Sequence, residues 1–324
     1  YFLPFLIFLI ILKFIFFNSS YLLISVFSGI KLVFGFLAIY FIVKEFLYRK
    51  ASNPTSIYSA ILSGLLYILM PTMTGSWDKA LMSHNQVFLN PLMFYLLLRF
   101  FVDHNYKYLW GALILSFIFS PNFDLTSAPP FFAFYPLSVL FLMLYVAVIL
   151  KKKLPWKGII VGGIIFFGLQ SFHLIPQILS LLDPGSFANV RVFDKESLIH
   201  EGIRYFIAVL PLAKVSVNIL LPSIIKDLGW LSAVAPLIVI LGFLFSRGRD
   251  KIILLTGMFF LITLFLLTAN ITNLGVEFYK KLFYIPGFSM FRNFIGQWLF
   301  VYSFFYSLLF GLAIFNIFDK LKNR

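Results

Sequence analysis

Long apolar runs, separated by shorter polar segments, make up the hydrophobic pattern of this chain. The runs are roughly 15 to 25 residues long, the length that a helix needs to cross a bilayer core of about 30 Å. Segments of about ten residues that alternate apolar and polar positions, as in a membrane barrel, are not found. The pattern predicts about ten membrane helices, at 1–17, 22–47, 57–71, 86–102, 108–120, 129–150, 158–180, 228–246, 252–268 and 294–318. The run at 108–120 is short, so we expect it to be re-entrant or partly broken.

Composition supports the same fold class, an all-α polytopic bundle of transmembrane helices. Apolar residues make up 61% of the 324 residues, charged residues make up 12%, and the mean hydropathy is +0.97. A soluble domain of this size has too little polar surface to cover so many Phe, Leu and Ile side chains. The chain has no cysteine, which excludes a disulfide framework and a thiolate metal site. We expect residues 1–324 to form one transmembrane domain, and the start at Tyr1 rather than Met predicts a fragment of a longer protein.

The basic residues favour one side of the membrane when the ten predicted spans alternate in direction. Fifteen Lys and Arg residues fall on the side with short connections, which the positive-inside rule makes cytoplasmic, and nine fall on the outer side. Asp and Glu show the opposite bias. This topology and the anionic lipids of the inner leaflet account for much of the net charge of +14, so no nucleic-acid partner is needed.

Four longer segments connect the predicted spans on the outer side: 72–85, 121–128, 181–227 and 269–293. In the first segment, Trp77 and His84 share one side of a possible helix and form a candidate rim for a polar head group, with Asp78 beside them. An aromatic belt at the membrane surface, with an ordinary pair of Asp78 and Lys79, explains the same residues.

The second segment carries a single acid, Asp124, between Pro121 and the pair Pro129-Pro130. These prolines hold the backbone out of a helix. Irregular backbone at membrane depth needs protein or a water-filled cavity around it, so Asp124 is a candidate cavity-lining acid. A solvated turn that caps the following helix is the alternative.

The large outer loop, 181–227, contains a predicted amphipathic helix that lies in the membrane interface. Its polar stripe has Glu196, His200 and Arg204 at intervals of four residues. Its apolar face consists of Ile199, Ile203, Phe206 and Ile207. The stripe could position a phosphate or transfer a proton, although pairs of opposite charge at this spacing also stabilise solvated helices.

The last outer segment leads into the final span and has Arg292 and Asn293 where that helix begins. An arginine at this depth can hold a phosphate through two hydrogen bonds, and the helix N-terminus adds partial positive charge. Contact with lipid head groups, or extension of the side chain into water, is the alternative. The predicted interface anchors of this segment are Phe278, Phe283, Tyr284 and Phe288.

One ionisable residue inside a span is a further candidate, His173. Ionisable groups within the membrane are often functional, but a neutral histidine bonded to a neighbouring carbonyl fits equally well. No group of His, Asp and Glu residues has the spacing of a metal site.

Three stretches of the chain resemble one family of membrane proteins. The sequence "NITNLGVEFYKKLFYIPGFSMFRN", followed by a span, is similar to the C-terminal membrane region of bacterial and archaeal GT-C-type proteins of the YfhO-like and arabinofuranosyltransferase-like branch. In that branch a Pro-Gly-Phe, several residues and a Phe-Arg precede a span. The run "YSAILSGLLYILMPTMTGSWDKALMSHNQVFLNPLMFYLLLRFF" resembles its tyrosine-containing span, outer turn with Trp and Pro-interrupted span, and "SPNFDLTSAPPFF" resembles its mid-chain outer loop.

The resemblance implies a glycosyltransferase that moves a sugar from a polyprenyl-phosphate donor to a glycan, lipid or protein acceptor outside a prokaryotic plasma membrane. In such enzymes an acid in the first outer loop commonly serves as base or as ligand of a divalent cation. That loop is not recognisable here, which leaves Asp78 and Asp124 as candidate acids and Arg292 as the candidate phosphate contact. A transporter or flippase of a lipid-linked or anionic substrate, and a non-catalytic membrane assembly subunit, are the alternatives.

Overall fold

The computed structural model of the chain describes residues 3–15, 19–48, 54–70, 73, 85–123, 129–186, 189, 234–246, 250–269, 272–285, 288–291 and 294–322. Every regular element in these residues is helical, as the sequence predicts. The α-helices are α1 (Leu3–Ile15), α2 (Ser20–Tyr48), α3 (Pro54–Leu69), α4 (Gln86–Asp103), α5 (Tyr106–Ile118), α6 (Pro129–Leu144), α7 (Trp156–Leu182), α8 (Val234–Ser246), α9 (Lys251–Thr268), α10 (Asn273–Leu282) and α11 (Phe294–Lys322). Two 3₁₀ turns, Ser120–Phe123 and Phe288–Phe291, and a π-helical turn, Tyr145–Ile149, complete the elements of this part of the chain.

Five of these helices are long and apolar enough to cross a membrane. They contain the stretches Tyr21–Leu47, Gln86–Asp103, Trp156–Leu182, Lys251–Thr268 and Trp298–Lys322. The other apolar helices, α1, α3, α5, α6 and α8, are shorter. Each of the ten predicted runs therefore contains a helix, but the predicted count of ten spans is not confirmed. Helix α10 lies in the segment 269–293, which the sequence predicts to be a loop.

The direction of the first helices follows from their contacts. Arg99, near the end of α4, forms an ion pair of 2.8 Å with Glu45, near the end of α2, so α2 and α4 run in the same direction. Helix α3 follows α2 after five residues and runs back, with Gly64 packed against the ring of Phe36. Helix α5 likewise runs back along α4 after the short connection at 104–105.

The last helix, α11, is the centre of the bundle. It packs against α2, α3, α4, α6, α8 and α9, and its residues from Phe300 to Phe315 are buried. The Ser63 hydroxyl donates to the Ser307 carbonyl at 2.6 Å, while Tyr58 and Phe318 line one groove. Helix α11 is therefore antiparallel to α3 and runs in the same direction as α2 and α4.

These directions define two ends of the bundle. At the first, which we call the Asn85 end, α3 and α5 finish and α4 and α11 begin. At the second, the Arg99 end, the Arg99 guanidinium bonds both Glu45 and Asp103, the latter at 2.7 Å. The predicted outer segments attach to described residues at the Asn85 end, as expected if the spans alternate.

Helix α4 continues without a break through Pro91, although the sequence suggests an interruption there. Proline has no N–H, so the Val87 carbonyl, four residues earlier, loses its helical donor. The Tyr67 hydroxyl of α3 supplies the missing donor, at 2.8 Å from the Val87 oxygen. Gly35 of α2 leaves room for this contact, because a Cβ there would lie 3.0 Å from the same oxygen.

We expect Tyr67→Phe to lower the free energy of unfolding by about 1–3 kcal/mol, since it leaves the buried Val87 carbonyl without a donor. In a Pro91→Ala background the restored N–H of residue 91 donates to that carbonyl. Tyr67→Phe then lowers the free energy of unfolding by a much smaller amount. The check is a double-mutant cycle, measured by thermal unfolding in detergent. An equal loss of unfolding free energy in both backgrounds would show that Tyr67 does not replace the missing donor.

Candidate functional site at the Asn85 end

An aromatic cluster joins four helices at the Asn85 end. Phe88 of α4 contacts Phe119, which follows α5, with ring centroids 5.2 Å apart, and Phe27 of α2 at 6.4 Å. Phe5 of α1 contacts Phe119 at 5.5 Å. The cluster forms because apolar positions of all four helices reach the same level of the bundle. It fixes the start of α4 and the end of α5 next to each other.

A buried lysine, Lys31 of α2, lies beside this cluster. Its side chain is 2% exposed, and its Nζ lies 5.0 Å from the centroid of the Phe27 ring. Lys31 is one helical turn from Phe27, which contacts Phe88, and one turn from Gly35, which abuts Val87. The ammonium group therefore lies close to the beginning of α4. An ionisable group within a predicted membrane helix is costly, and such groups usually have a functional partner.

Two asparagines place further polar groups at the same level. Asn85 precedes α4 and is 1% exposed, and Asn90 lies in the second turn of α4 and is 0% exposed. Among the described residues, neither side-chain amide has a hydrogen-bond partner. The Asn85 side chain does not cap α4, so the first N–H groups of the helix receive no bond from it. A cation, a helix N-terminus and amide donors form a suitable environment for an anion such as a phosphate.

A second polar group lies between α5 and α7. The Gln170 amide nitrogen donates to the Ser116 carbonyl at 2.8 Å, and His173 is buried one turn further along α7. The chain after α5 turns back as a buried 3₁₀ helix, and the Asn122 amide donates to the Phe119 carbonyl at 3.2 Å. The run at 108–120, which we expected to be re-entrant or partly broken, forms the continuous 13-residue helix α5, and the irregular backbone follows only at Phe119.

The segment before α11 is held by the amphipathic helix α10. The Tyr279 hydroxyl donates to the Phe291 carbonyl at 2.6 Å and accepts a hydrogen bond from the Trp298 indole nitrogen at 2.9 Å. Burial raises the pKa of Tyr279, and the bond from Trp298 opposes this increase only in part. The phenol therefore stays neutral at physiological pH and keeps its proton for the Phe291 carbonyl.

Aromatic packing reinforces these hydrogen bonds. The Trp298 ring lies 5.0 Å from that of Phe291, and Phe283 and Phe288 pack on Tyr279 at 5.6 and 5.5 Å. Phe283 is buried in this cluster instead of serving as a membrane-interface anchor. Of the four predicted anchors, Phe278 and Tyr284 are the exposed ones.

Of the candidate residues predicted from the sequence, His173 is described, and the others lie outside the described residues: Trp77, Asp78, His84, Asp124, His200, Arg204, Arg292 and Asn293. They stay predictions. The described chain borders three of their segments, at Asn85, Phe123 and Phe291, and contacts between Phe88 and Phe119 bring the first two borders together. Within the described part, no three His, Cys, Asp or Glu residues are grouped as metal ligands.

Sequence reasoning missed Lys31, Asn85, Asn90 and Tyr279 as site residues. Lys31 carried a signal, because a lysine in the middle of an apolar run is rare. The burial of the two asparagines depends on which helices pack against α4, which no local pattern reveals.

A groove of about 320 Å³ between α3 and α11 lies at the opposite, Arg99 end. Its lining is apolar apart from Thr55 and Tyr58, and it is remote from Lys31. It offers no charged group and is not part of the candidate site.

Comparisons of the chain with protein-family models, with curated proteins and with solved structures find no match.

Proposed function

We propose that the chain is the membrane region of a GT-C-type glycosyltransferase, which transfers a sugar from a polyprenyl-phosphate donor to an acceptor glycan, lipid or protein. The observation that carries the proposal is the buried Lys31 beside the start of α4, with the amides of Asn85 and Asn90, which have no hydrogen-bond partner among the described residues. A lipid-linked donor brings a phosphate to the level of the membrane surface, and these groups match its charge. Arg292, two residues before α11, is the second proposed phosphate contact.

The proposed steps use the chain's own residues. Asp78 or Asp124 accepts the proton of the acceptor hydroxyl, whose oxygen attacks the anomeric carbon of the sugar. The bond between that carbon and the phosphate oxygen breaks, and its electron pair leaves on the lipid phosphate. Lys31 and Arg292 stabilise the charge on this leaving group.

The proposed orientation has the Arg99 end in the cytoplasm and the Asn85 end outside a prokaryotic plasma membrane. Support comes from the charges of the described helices. At the Arg99 end lie Lys44, Arg99, Lys107, Lys151, Lys152, Lys153, Lys157, Lys251, Lys320 and Lys322. At the Asn85 end the described basic residues are Lys280 and Lys281 of α10, besides Lys13 and Lys31 in the first two helices. This asymmetry is typical of the positive-inside rule. All ten apolar helices are proposed as spans.

A flippase or transporter of a lipid-linked anion is the second candidate. The observation that favours it is the buried polar contact of Gln170 with Ser116, in the last turn of α5, which adds a polar pair one turn inward of Phe119. A transport path needs such groups along its length. A non-catalytic assembly subunit is the remaining alternative from the sequence, and no contact in the described helices favours it.

The test is sugar transfer by purified full-length protein in liposomes that contain a radiolabelled polyprenyl-phosphate sugar. We expect Arg292→Ala to lower turnover by roughly 10-fold to 100-fold, because one charged contact to the leaving phosphate is lost. Lys157→Ala, an exposed lysine at the Arg99 end, is the matched control and keeps full turnover.

Each outcome of this assay decides between the candidates. Unchanged turnover in Arg292→Ala removes that residue from the phosphate site. Movement of the labelled lipid between leaflets without sugar transfer supports the flippase. A protein that neither transfers the sugar nor moves the lipid contradicts both candidates.

A further inference from the structure

Helix α10 has three distinct faces. Gly275 and Tyr279 lie on the face that packs against the bundle, and a Cβ at Gly275 would lie within 2.2 Å of the Ala269 carbonyl oxygen, so this face is in close contact. Glu277 and Lys280 form an ion pair of 2.6 Å on a polar flank. The third face is apolar and open to the surroundings, with Leu274 at its centre.

The open apolar face is large for a ten-residue helix. Leu274 is 83% exposed, Phe278 is 48% exposed, and Ile285, just beyond the end of the helix, is 53% exposed. The side chain of Lys281 lies on the same flank, between this face and the polar one. Isolated exposed apolar residues are ordinary, but Leu274 and Phe278 on one face, with Ile285 just after the helix and a lysine beside them, indicate a surface that contacts something other than water.

This face is continuous with the outside of a membrane-crossing helix. Phe278 contacts Phe265 of α9, with ring centroids 5.4 Å apart. Phe265 is exposed, as are Leu261 and Ile262 on the same helix, and α9 is among the five helices apolar and long enough to span a bilayer. Exposed apolar side chains of a spanning helix face lipid, so Phe278 lies at the margin of a lipid-facing surface.

We propose that α10 lies in the boundary between the lipid acyl chains and the head groups, and that membrane lipid covers its apolar face. Leu274, Phe278 and Ile285 enter the acyl region, and Lys281 extends to the lipid phosphates. The polar flank with Glu277 and Lys280 faces water. The occupant is lipid because the face adjoins α9 without a gap and ends in a basic residue.

The position of α10 has a consequence for the segment before α11. Tyr279 ties α10 to the Phe291 carbonyl and to Trp298, so the depth of α10 in the membrane sets the depth of residue 291. This inference does not rest on the proposed glycosyltransferase function, since it holds equally for a transporter.

Single-cysteine labelling tests the proposal directly, because the chain has no native cysteine. Leu274→Cys and the adjacent Asn273→Cys are both at exposed positions, so neither disturbs the packed face. Each variant of the full chain is labelled with an environment-sensitive fluorophore and reconstituted into liposomes that contain an anionic lipid. Quenching by lipids brominated on the acyl chains is compared with quenching by aqueous iodide.

We expect the probe at residue 274 to be quenched at least about twofold more by brominated lipid than the probe at 273, with the opposite order for iodide. Equal quenching of both probes by iodide would place α10 in water and overturn the proposal. Weak quenching of residue 274 by both agents would show that protein covers the face, which also overturns it. Iodide is added to sealed and to permeabilised liposomes, so that access from either side is measured.

Discussion

Lys31→Gln is expected to lower transfer from the lipid-linked donor by roughly 100-fold, with little change in the melting temperature. In the proposed mechanism the Lys31 ammonium stabilises the phosphate that leaves with the electron pair, and a neutral amide of similar length keeps the packing against Phe27 without the charge. The loss appears mainly in kcat, because the negative charge on the phosphate increases in the transition state. The measurement is turnover in liposomes at saturating donor.

The control variants separate charge from packing. Lys31→Arg retains the cation, so most of the activity is expected to remain. Lys13→Gln removes an exposed lysine from α1 and leaves turnover unchanged. If Lys31→Gln lowers the melting temperature and keeps full turnover, Lys31 has a structural role and the proposed phosphate site is wrong.

The membrane helices could be predicted from the sequence because hydrophobicity along the chain is a local signal. The predicted run at 86–102 corresponds to Gln86–Asp103, and the run at 252–268 corresponds to Lys251–Thr268. Both ends of these helices coincide with a polar or charged residue or a cap. The number of spans could not be settled in the same way, because several apolar helices are shorter than a bilayer requires.

Helix α10 was not predicted from the sequence, because its polar residues obscure the four-residue spacing of its buried positions. Gly275, Tyr279 and Phe283 are spaced by four and form the buried face, and Thr272 caps the helix through the Gly275 N–H. This spacing and this cap are readable signals, but Asn, Glu and two Lys residues in ten positions suggested a loop. The contact of Tyr67 with Val87 could not be predicted, since it depends on how α3 packs against α4.

Gly242→Ala is expected to destabilise the bundle by about 1–3 kcal/mol or more, although alanine is the better helix former. A Cβ at residue 242 of α8 would lie 2.3 Å from the Cβ and 2.4 Å from the Cα of Ala313 in α11. The nearest atoms belong to the start of a side chain and to the backbone, so no rotamer change relieves the overlap. One of the two helices has to move.

Helix α11 cannot shift away from α8, because α2, α3, α4 and α6 pack against its other sides. At its far side a Cβ on Gly311 would already lie 2.8 Å from the Cβ of Ser63, so small residues hold α11 closely on two faces. Displacement of α8 is therefore the expected response, with loss of the buried contacts of Ala235 and Val239.

Gly163→Ala in α7 is the matched control, because a Cβ at residue 163 meets nothing within 4 Å. Its expected effect has the opposite sign, a stabilisation of up to about 1 kcal/mol from helix propensity. Thermal unfolding of both variants in detergent, followed by size-exclusion chromatography, gives the sign of the stability change for each substitution. If both substitutions raise the melting temperature, α8 and α11 are not in close contact at Gly242. The opposite signs would show that close helix contact at small residues, in addition to apolar composition, specifies this bundle.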